Sequence, residues 1–170
     1  SGEAYFKVAK ENTRPFCVRS GEYCLKVYGT EFNLNTYDEE NIEAVLVKGS
    51  VGFQANEAAP EKRLKVNQLG VANSKAGTSV IQDVDVTSYI AWKNHDLIFV
   101  NEELESIMKK VSRWYDVNII FEDEVSKAVR FNGNIPKYAE LEKLLYVMEK
   151  TSDVRFRITD KTIRITKRKK

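Results

Sequence analysis

Two segments of the chain carry apolar residues with the period of a helix that buries one face. The second repeats the first at a constant offset of 37 residues: Leu104, Ile107, Met108 and Val111 correspond to Leu141, Leu144, Leu145 and Met148. After each segment an Asp-Val pair opens an alternating run, which is typical of a half-buried strand. A strand-like stretch also precedes each helix. The pattern therefore predicts two tandem βαβ units, with their helices on one face of a small sheet.

Residues near the two helices suggest where each helix starts. Asn101 is a good N-cap residue, and Glu102 and Glu103 would then lie in the first helical turn. Pro136 precedes the second helix and is suited to a first turn. We therefore expect the first helix to begin at Asn101 and the second to begin shortly after Pro136.

The first 88 residues lack a sustained helical period. They show short alternating runs joined by turn signals such as Ser20-Gly21, Lys48-Gly49 and Lys75-Ala76-Gly77. Many short strands with frequent turns indicate an all-β sandwich or roll. The sequence therefore predicts an α+β protein, with a β-domain at residues 1–88 and a βαβ-repeat domain at residues 89–170.

Composition and charge narrow the class of protein. A hydrophobic fraction of 42% is ordinary for a folded domain and argues against disorder. No run of 18 apolar residues predicts a membrane span. Residues 155–170 hold eight basic residues and one Asp, whereas the rest of the chain is acidic overall. Such a tail can bind anions, but we favour the simpler reading of a solvated, frayed end.

The sequence predicts no catalytic, cofactor-binding or metal site. His95 is the one histidine, so serine and cysteine triads would have to depend on this residue of the connector. Two cysteines and one histidine cannot make a four-ligand zinc site without a carboxylate, and no pair has CxxC spacing. Phosphate-binding glycine motifs are missing as well. We therefore expect a protein that is not an enzyme.

The two cysteines are a candidate disulfide. If Ser20-Gly21 forms a two-residue hairpin turn, Cys17 faces Cys24 across the strands. Their Cα atoms would then lie about 5.5 Å apart, within reach of a bridge. The alternative is a pair of free thiols, and the sequence leaves both open.

Motifs in both halves resemble the FecR family of anti-sigma regulators. They are Gly2-Glu3-Ala4-Tyr5-Phe6, Arg14-Pro15-Phe16, Gly29-Thr30 with Phe32-Asn33, Gly49-Ser50-Val51, Ala91-Trp92-Lys93, Ser112–Val117 and Gly133-Asn134-Ile135-Pro136. The resemblance implies a FecR β-domain followed by a domain similar to the short N-terminal domain of secretins and TonB-dependent receptors. It also implies that a sigma-binding region, a membrane helix and the first strands of the β-domain belong before Gly2.

The same resemblance implies a place and partners for the protein. It predicts the periplasmic part of a single-pass inner-membrane protein. This part would contact the signalling domain of an outer-membrane TonB-dependent receptor. The cytoplasmic region would hold an extracytoplasmic-function sigma factor and so regulate nutrient uptake. No cofactor and no nucleic acid is expected.

One aromatic pair distinguishes the two repeats. Trp114 and Tyr115 end the first repeat helix, where the second has Thr151 and Ser152. The pair could contact a partner or anchor the two domains to each other, and we favour the anchor. A carbohydrate-binding or nucleic-acid-binding module stays open as an alternative function.

Overall fold

The computed structural model describes residues 1–11, 14, 16–38, 40–56, 58–73, 75–136 and 138–168. The chain divides into two compact units, Ser1–Ile90 and Ala91–Lys170, which we call the N-terminal and C-terminal units. The N-terminal unit is built mainly of strands, and the C-terminal unit mixes helices with strands. The predicted α+β class is confirmed.

The N-terminal unit is a β-sandwich of two antiparallel sheets. Its elements are β1 (Glu3–Lys7), β2 (Phe16–Ser20), β3 (Tyr23–Val27), β4 (Glu31–Asn35), β5 (Asn41–Lys48), β6 (Val51–Gln54), β7 (Lys62–Leu64), β8 (Gln68–Asn73), β9 (Thr78–Asp83) and α1 (Val86–Ile90). One sheet has the order β1-β4-β5-β8-β9 and the other β2-β3-β6-β7. Leu25 and Phe53 of the smaller sheet share a core with Phe32 of the larger one. Burying these faces against each other stabilises the sandwich.

The short helix α1 covers the other face of the larger sheet. Its Val86 is clustered with Val45 of β5 and Leu69 of β8. Strand β5 is therefore buried on both faces, which explains its near-continuous apolar run.

The hairpin of β2 and β3 corrects the predicted cysteine pairing. Ser20 pairs with Tyr23, so Gly21 and Glu22 form the turn, and Gly21 has the positive φ of +57° that suits the first position of a type II′ turn. Cys17 is then opposite Lys26, and Cys24 is opposite Arg19. The prediction that the cysteines face each other is wrong by a shift of two residues. They are diagonal neighbours, about 7–8 Å apart in such a ladder, and both are free thiols.

The C-terminal unit contains the two predicted β-α-β segments and one further strand. Its elements are a 3₁₀ helix (Ala91–Asn94), β10 (Asp96–Glu103), α2 (Leu104–Tyr115), β11 (Asn118–Phe121), β12 (Arg130–Pro136), α3 (Leu141–Lys150), β13 (Val154–Thr159) and β14 (Thr162–Lys167). The predicted single sheet is wrong. The strands form an antiparallel ribbon of β10 and β12 and a separate sheet with the order β11-β14-β13. The apolar stripes of α2 and α3 share one core with both sheets.

Both helices begin later than the sequence predicts. Asn101 belongs to β10, where the pairing with β12 shifts register between Phe99 and Glu102. Its φ is +49°, its backbone N–H donates to Asn132 Oδ1, and its carbonyl accepts from Arg130 Nη1. These cross-strand bonds keep Asn101 in the ribbon, so α2 starts at Leu104. Pro136 is the last residue of β12 rather than part of the first turn of α3.

Candidate partner-binding surface

The sheet β11-β14-β13 has one buried and one exposed face. Because side chains alternate along a strand, Ile119, Ile163 and Phe156 point into the core shared with the helices. The neighbouring positions point to the opposite face, where Arg155, Arg157, Arg164 and Ile120 are exposed. We call this exposed side, together with Glu122 just after β11, the cationic face.

The strand register brings the three arginines together. Arg157 of β13 is directly opposite Arg164 of β14, and Arg164 is in turn beside Ile120 of β11. Arg155 lies two residues from Arg157 on the same strand, or about 7 Å away. Arg155 itself is opposite Thr166. Guanidinium groups from two adjacent strands therefore occupy one side of a small sheet.

Most other basic side chains nearby have acidic partners. Lys161 Nζ pairs with Asp116 Oδ2, and Arg168 Nη2 lies 3.3 Å from Glu149 Oε1. On the cationic face, Arg164 Nη1 lies 3.5 Å from Glu122 Oε1. Within the part of the chain that the structure describes, no carboxylate pairs with Arg155 or Arg157. These two cations are available to a carboxylate from another molecule.

This arrangement corrects the reading of the basic segment as a frayed tail. The basic segment belongs to strands β13 and β14 and the turn between them as far as Lys167. The backbone N–H of Lys167 donates to Asp123 Oδ2 at 2.7 Å. Lys169 and Lys170 lie outside the described residues. Sequence reasoning missed the cationic face because β14 was not identified. Its signal was the alternating run Thr162–Thr166 after the Asp160-Lys161 turn.

Trp114 and Tyr115 lie at the C-terminal end of α2, against the core of their own unit. The Tyr115 hydroxyl donates to the Ala139 carbonyl at 2.8 Å, which ties α2 to the segment before α3. Burial raises the pKa of Tyr115 above its ordinary value. The suggested contact of this pair with a partner or with the N-terminal unit stays a prediction.

The described residues hold no group of three or more metal-ligating side chains. His95 is exposed, and its ring lies 5.5 Å from the ring of Tyr138. Cys17 is exposed and Cys24 half-buried, both far along the sequence from His95. The cationic face presents two arginines without a carboxylate partner among the described residues, Arg155 and Arg157.

Comparison with protein families gives two matches. Residues 1–52 match the model described as FecR protein, and residues 96–165 match the model described as FecR, C-terminal. The two matches fall in the two units and together cover most of the chain. The chain belongs to the FecR family of anti-sigma factors.

Solved structures agree with this assignment. The FecR chain is similar to an anti-sigma factor proposed for Parabacteroides distasonis, known from crystal structures at 1.65 and 2.50 Å resolution. Identity is 25% in both cases, with TM-scores of 0.84 and 0.83. The alignments cover 99% of this chain and 78% of the other. Comparison with curated proteins gives no significant match.

Family membership sets the general role of the protein. Anti-sigma factors are regulators, and a FecR-family member is a regulatory rather than a catalytic protein. Among the described residues, none of the helices is long and apolar enough to cross a bilayer.

Proposed function

We propose that this chain is the periplasmic part of a membrane-anchored anti-sigma factor. In this role it contacts the signalling domain of an outer-membrane TonB-dependent receptor. The signal then passes through a membrane helix to a cytoplasmic region that holds an extracytoplasmic-function sigma factor. The outcome is regulated transcription of genes for nutrient uptake.

The observation that carries the proposal is the pair of FecR matches, one in each unit. The similarity to the Parabacteroides distasonis protein adds support, because it extends over nearly the whole chain. A regulator must change its contacts in response to a signal. The exposed cationic face of the C-terminal unit is a surface suited to such contacts.

We assign receptor contact to the C-terminal unit. This unit combines a compact core with the exposed cationic face and with strands β11 and β13, each of which pairs only with β14 among the described strands. An unpaired strand edge can accept a strand from a partner, and an exposed face can dock one. Signalling contacts must also release. We therefore expect an affinity of roughly micromolar strength, about −8 kcal/mol.

Calorimetric titration of this chain with the signalling domain of a TonB-dependent receptor from the same organism tests the proposal. Leu104→Asp places a charge in the core of the C-terminal unit and should abolish binding. Val80→Asp changes an exposed side chain of the N-terminal unit, 62% exposed, and should leave binding intact. If none of the organism's receptor signalling domains binds the unaltered chain at 100-fold the expected dissociation constant, about 100 µM, the receptor assignment is wrong.

A further inference from the structure

The cationic face has a feature that the stability of the fold does not require. Arg157 and Arg164 are direct cross-strand partners, and like charges opposite each other destabilise a sheet. The next pair on the same face of these strands is Thr159 with Thr162, which carries no such penalty. The arginines are also exposed, so the core does not depend on their side chains. Glu122 offsets part of this repulsion at Arg164, and an anionic group bound at Arg157 would offset more of it.

The chemistry of the face matches carboxylates held on a protein segment. A guanidinium group binds a carboxylate through two parallel hydrogen bonds, and arginine is enriched at protein interfaces. Ile120 lies beside Arg164 and is 39% exposed, so an apolar side chain can pack next to the charges. Glu122 stands on the same side and pairs with Arg164, which leaves Arg155 and Arg157 as the cations of this face without a carboxylate partner among the described residues.

We propose that the cationic face binds an acidic segment of a partner protein, with its carboxylates on Arg155, Arg157 and Arg164 and an apolar residue on Ile120. This inference rests on the proposed function, in which the partner is the receptor signalling domain. It adds the chemistry of the contact: acidic residues on the partner and arginines on the FecR chain. Binding therefore weakens as salt rises, because exposed ion pairs are screened.

Paired arginine variants test the inference in the full chain. Arg157→Gln with Arg164→Gln removes two charges from the cationic face. Arg19→Gln with Arg63→Gln removes two charges from exposed strand positions in the N-terminal unit and serves as the matched control. Circular dichroism checks that both variants are folded. The receptor signalling domain is the first probe. Poly-L-glutamate is the second, and its binding is monitored through the NMR signals of the arginine side chains.

We expect the face variant to bind the receptor domain about tenfold or more weakly and the control to bind like the unaltered chain. Poly-L-glutamate should shift the signals of Arg155, Arg157 and Arg164 before those of other basic residues. If the receptor domain binds all three proteins equally well, the inference is wrong while the proposed function stands. If the receptor domain binds none of them, the proposed function fails, and the poly-L-glutamate result alone decides the inference.

Two further probes distinguish other anionic partners. A single-stranded oligonucleotide and vesicles containing phosphatidylglycerol are titrated against the unaltered chain and the face variant. We expect both to bind more weakly than poly-L-glutamate at the same charge concentration. Tighter binding of either one, lost in the face variant, would overturn the assignment to an acidic protein segment.

Discussion

At the scale of single residues, glycines allow close backbone approaches in the N-terminal unit. Gly29 has a φ of +89°, and a Cβ there would lie 2.5 Å from the Lys10 Cα. Gly49 has a φ of +94°, and its Cβ would lie 2.6 Å from the Gly29 carbonyl oxygen. The sequence alone does not show which backbone comes close to these glycines, because that depends on tertiary packing.

Gly49→Ala should destabilise the N-terminal unit by roughly 2–4 kcal/mol, since alanine disfavours this φ and its methyl group meets backbone. Gly21→Ala is the matched control. Gly21 also has a positive φ, but a Cβ there meets nothing within 4 Å, so we expect a loss of about 1 kcal/mol. Urea unfolding, monitored by circular dichroism, measures the stability of both variants. Equal losses would show that the close approach at Gly49 carries no cost.

Asp123 predicts a pH dependence for the C-terminal unit. The backbone N–H of Lys167 is the main cause that lowers the pKa of Asp123, and the backbone N–H of Ser126 adds to it. A carboxyl whose pKa is lower in the folded state stabilises the fold above its unfolded pKa of about 3.9. That contribution is lost as the pH falls through the folded pKa.

Asp123→Asn should therefore be less stable than the unaltered chain at pH 7, and the difference should shrink toward pH 3. Urea midpoints of the C-terminal unit, followed by tryptophan fluorescence at several pH values, check this expectation. Trp92 and Trp114 both belong to that unit and report on it. A difference that stays constant from pH 7 to pH 3 would contradict the role given to the Asp123 carboxylate.

At the scale of elements, hydrophobic pattern located the strands but could not fix their register. In the β2–β3 hairpin, the predicted and observed pairings both keep Val18, Tyr23 and Leu25 on the inner face. Because side chains alternate along a strand, a register shift of two residues leaves each side chain on the same face of the sheet. The hydrophobic pattern is therefore compatible with both pairings. Gly21 is also a central turn residue in either case. The hydrophobic pattern therefore does not encode the choice between the two registers, nor the position of the cysteines that follows from it.

Strand β14 is an element that the sequence pattern did not predict. The repeat at an offset of 37 residues predicted α2, α3 and the strands before and after each helix. β14 has no counterpart in the first repeat, yet it lies between β11 and β13. Its pairing with β13 places Arg164 opposite Arg157. The cationic face therefore follows from strand order, which hydrophobic periodicity does not encode.

Helix α3 allows a test of burial within one element. Leu145 is 3% exposed and belongs to the shared core, whereas Val147 is 57% exposed. Leu145→Ala should destabilise the C-terminal unit by about 2–5 kcal/mol, through lost burial and a cavity. Val147→Ala should change stability by no more than about 0.5 kcal/mol. Urea unfolding followed by tryptophan fluorescence compares them, and similar losses would contradict the observed face of α3.

At the scale of the whole molecule, each unit has its own hydrophobic core and its own match within the FecR family. The motifs that resembled the family in the sequence lie in both units, and that assignment is confirmed. Receptor contact and sigma regulation depend on partners outside the chain, so they stay proposals. The central claim is that the C-terminal unit senses the receptor.

A transcriptional reporter for the sigma factor, in cells that carry the full-length protein, tests this claim most directly. Reporter activity is measured with and without the inducing nutrient, before and after deletion of the segment corresponding to residues 91–170. The account predicts that the shortened protein stays in the membrane, as checked by fractionation, and that the response to the nutrient is lost. A shortened protein that still switches normally on the nutrient would contradict the account and assign sensing to the N-terminal unit.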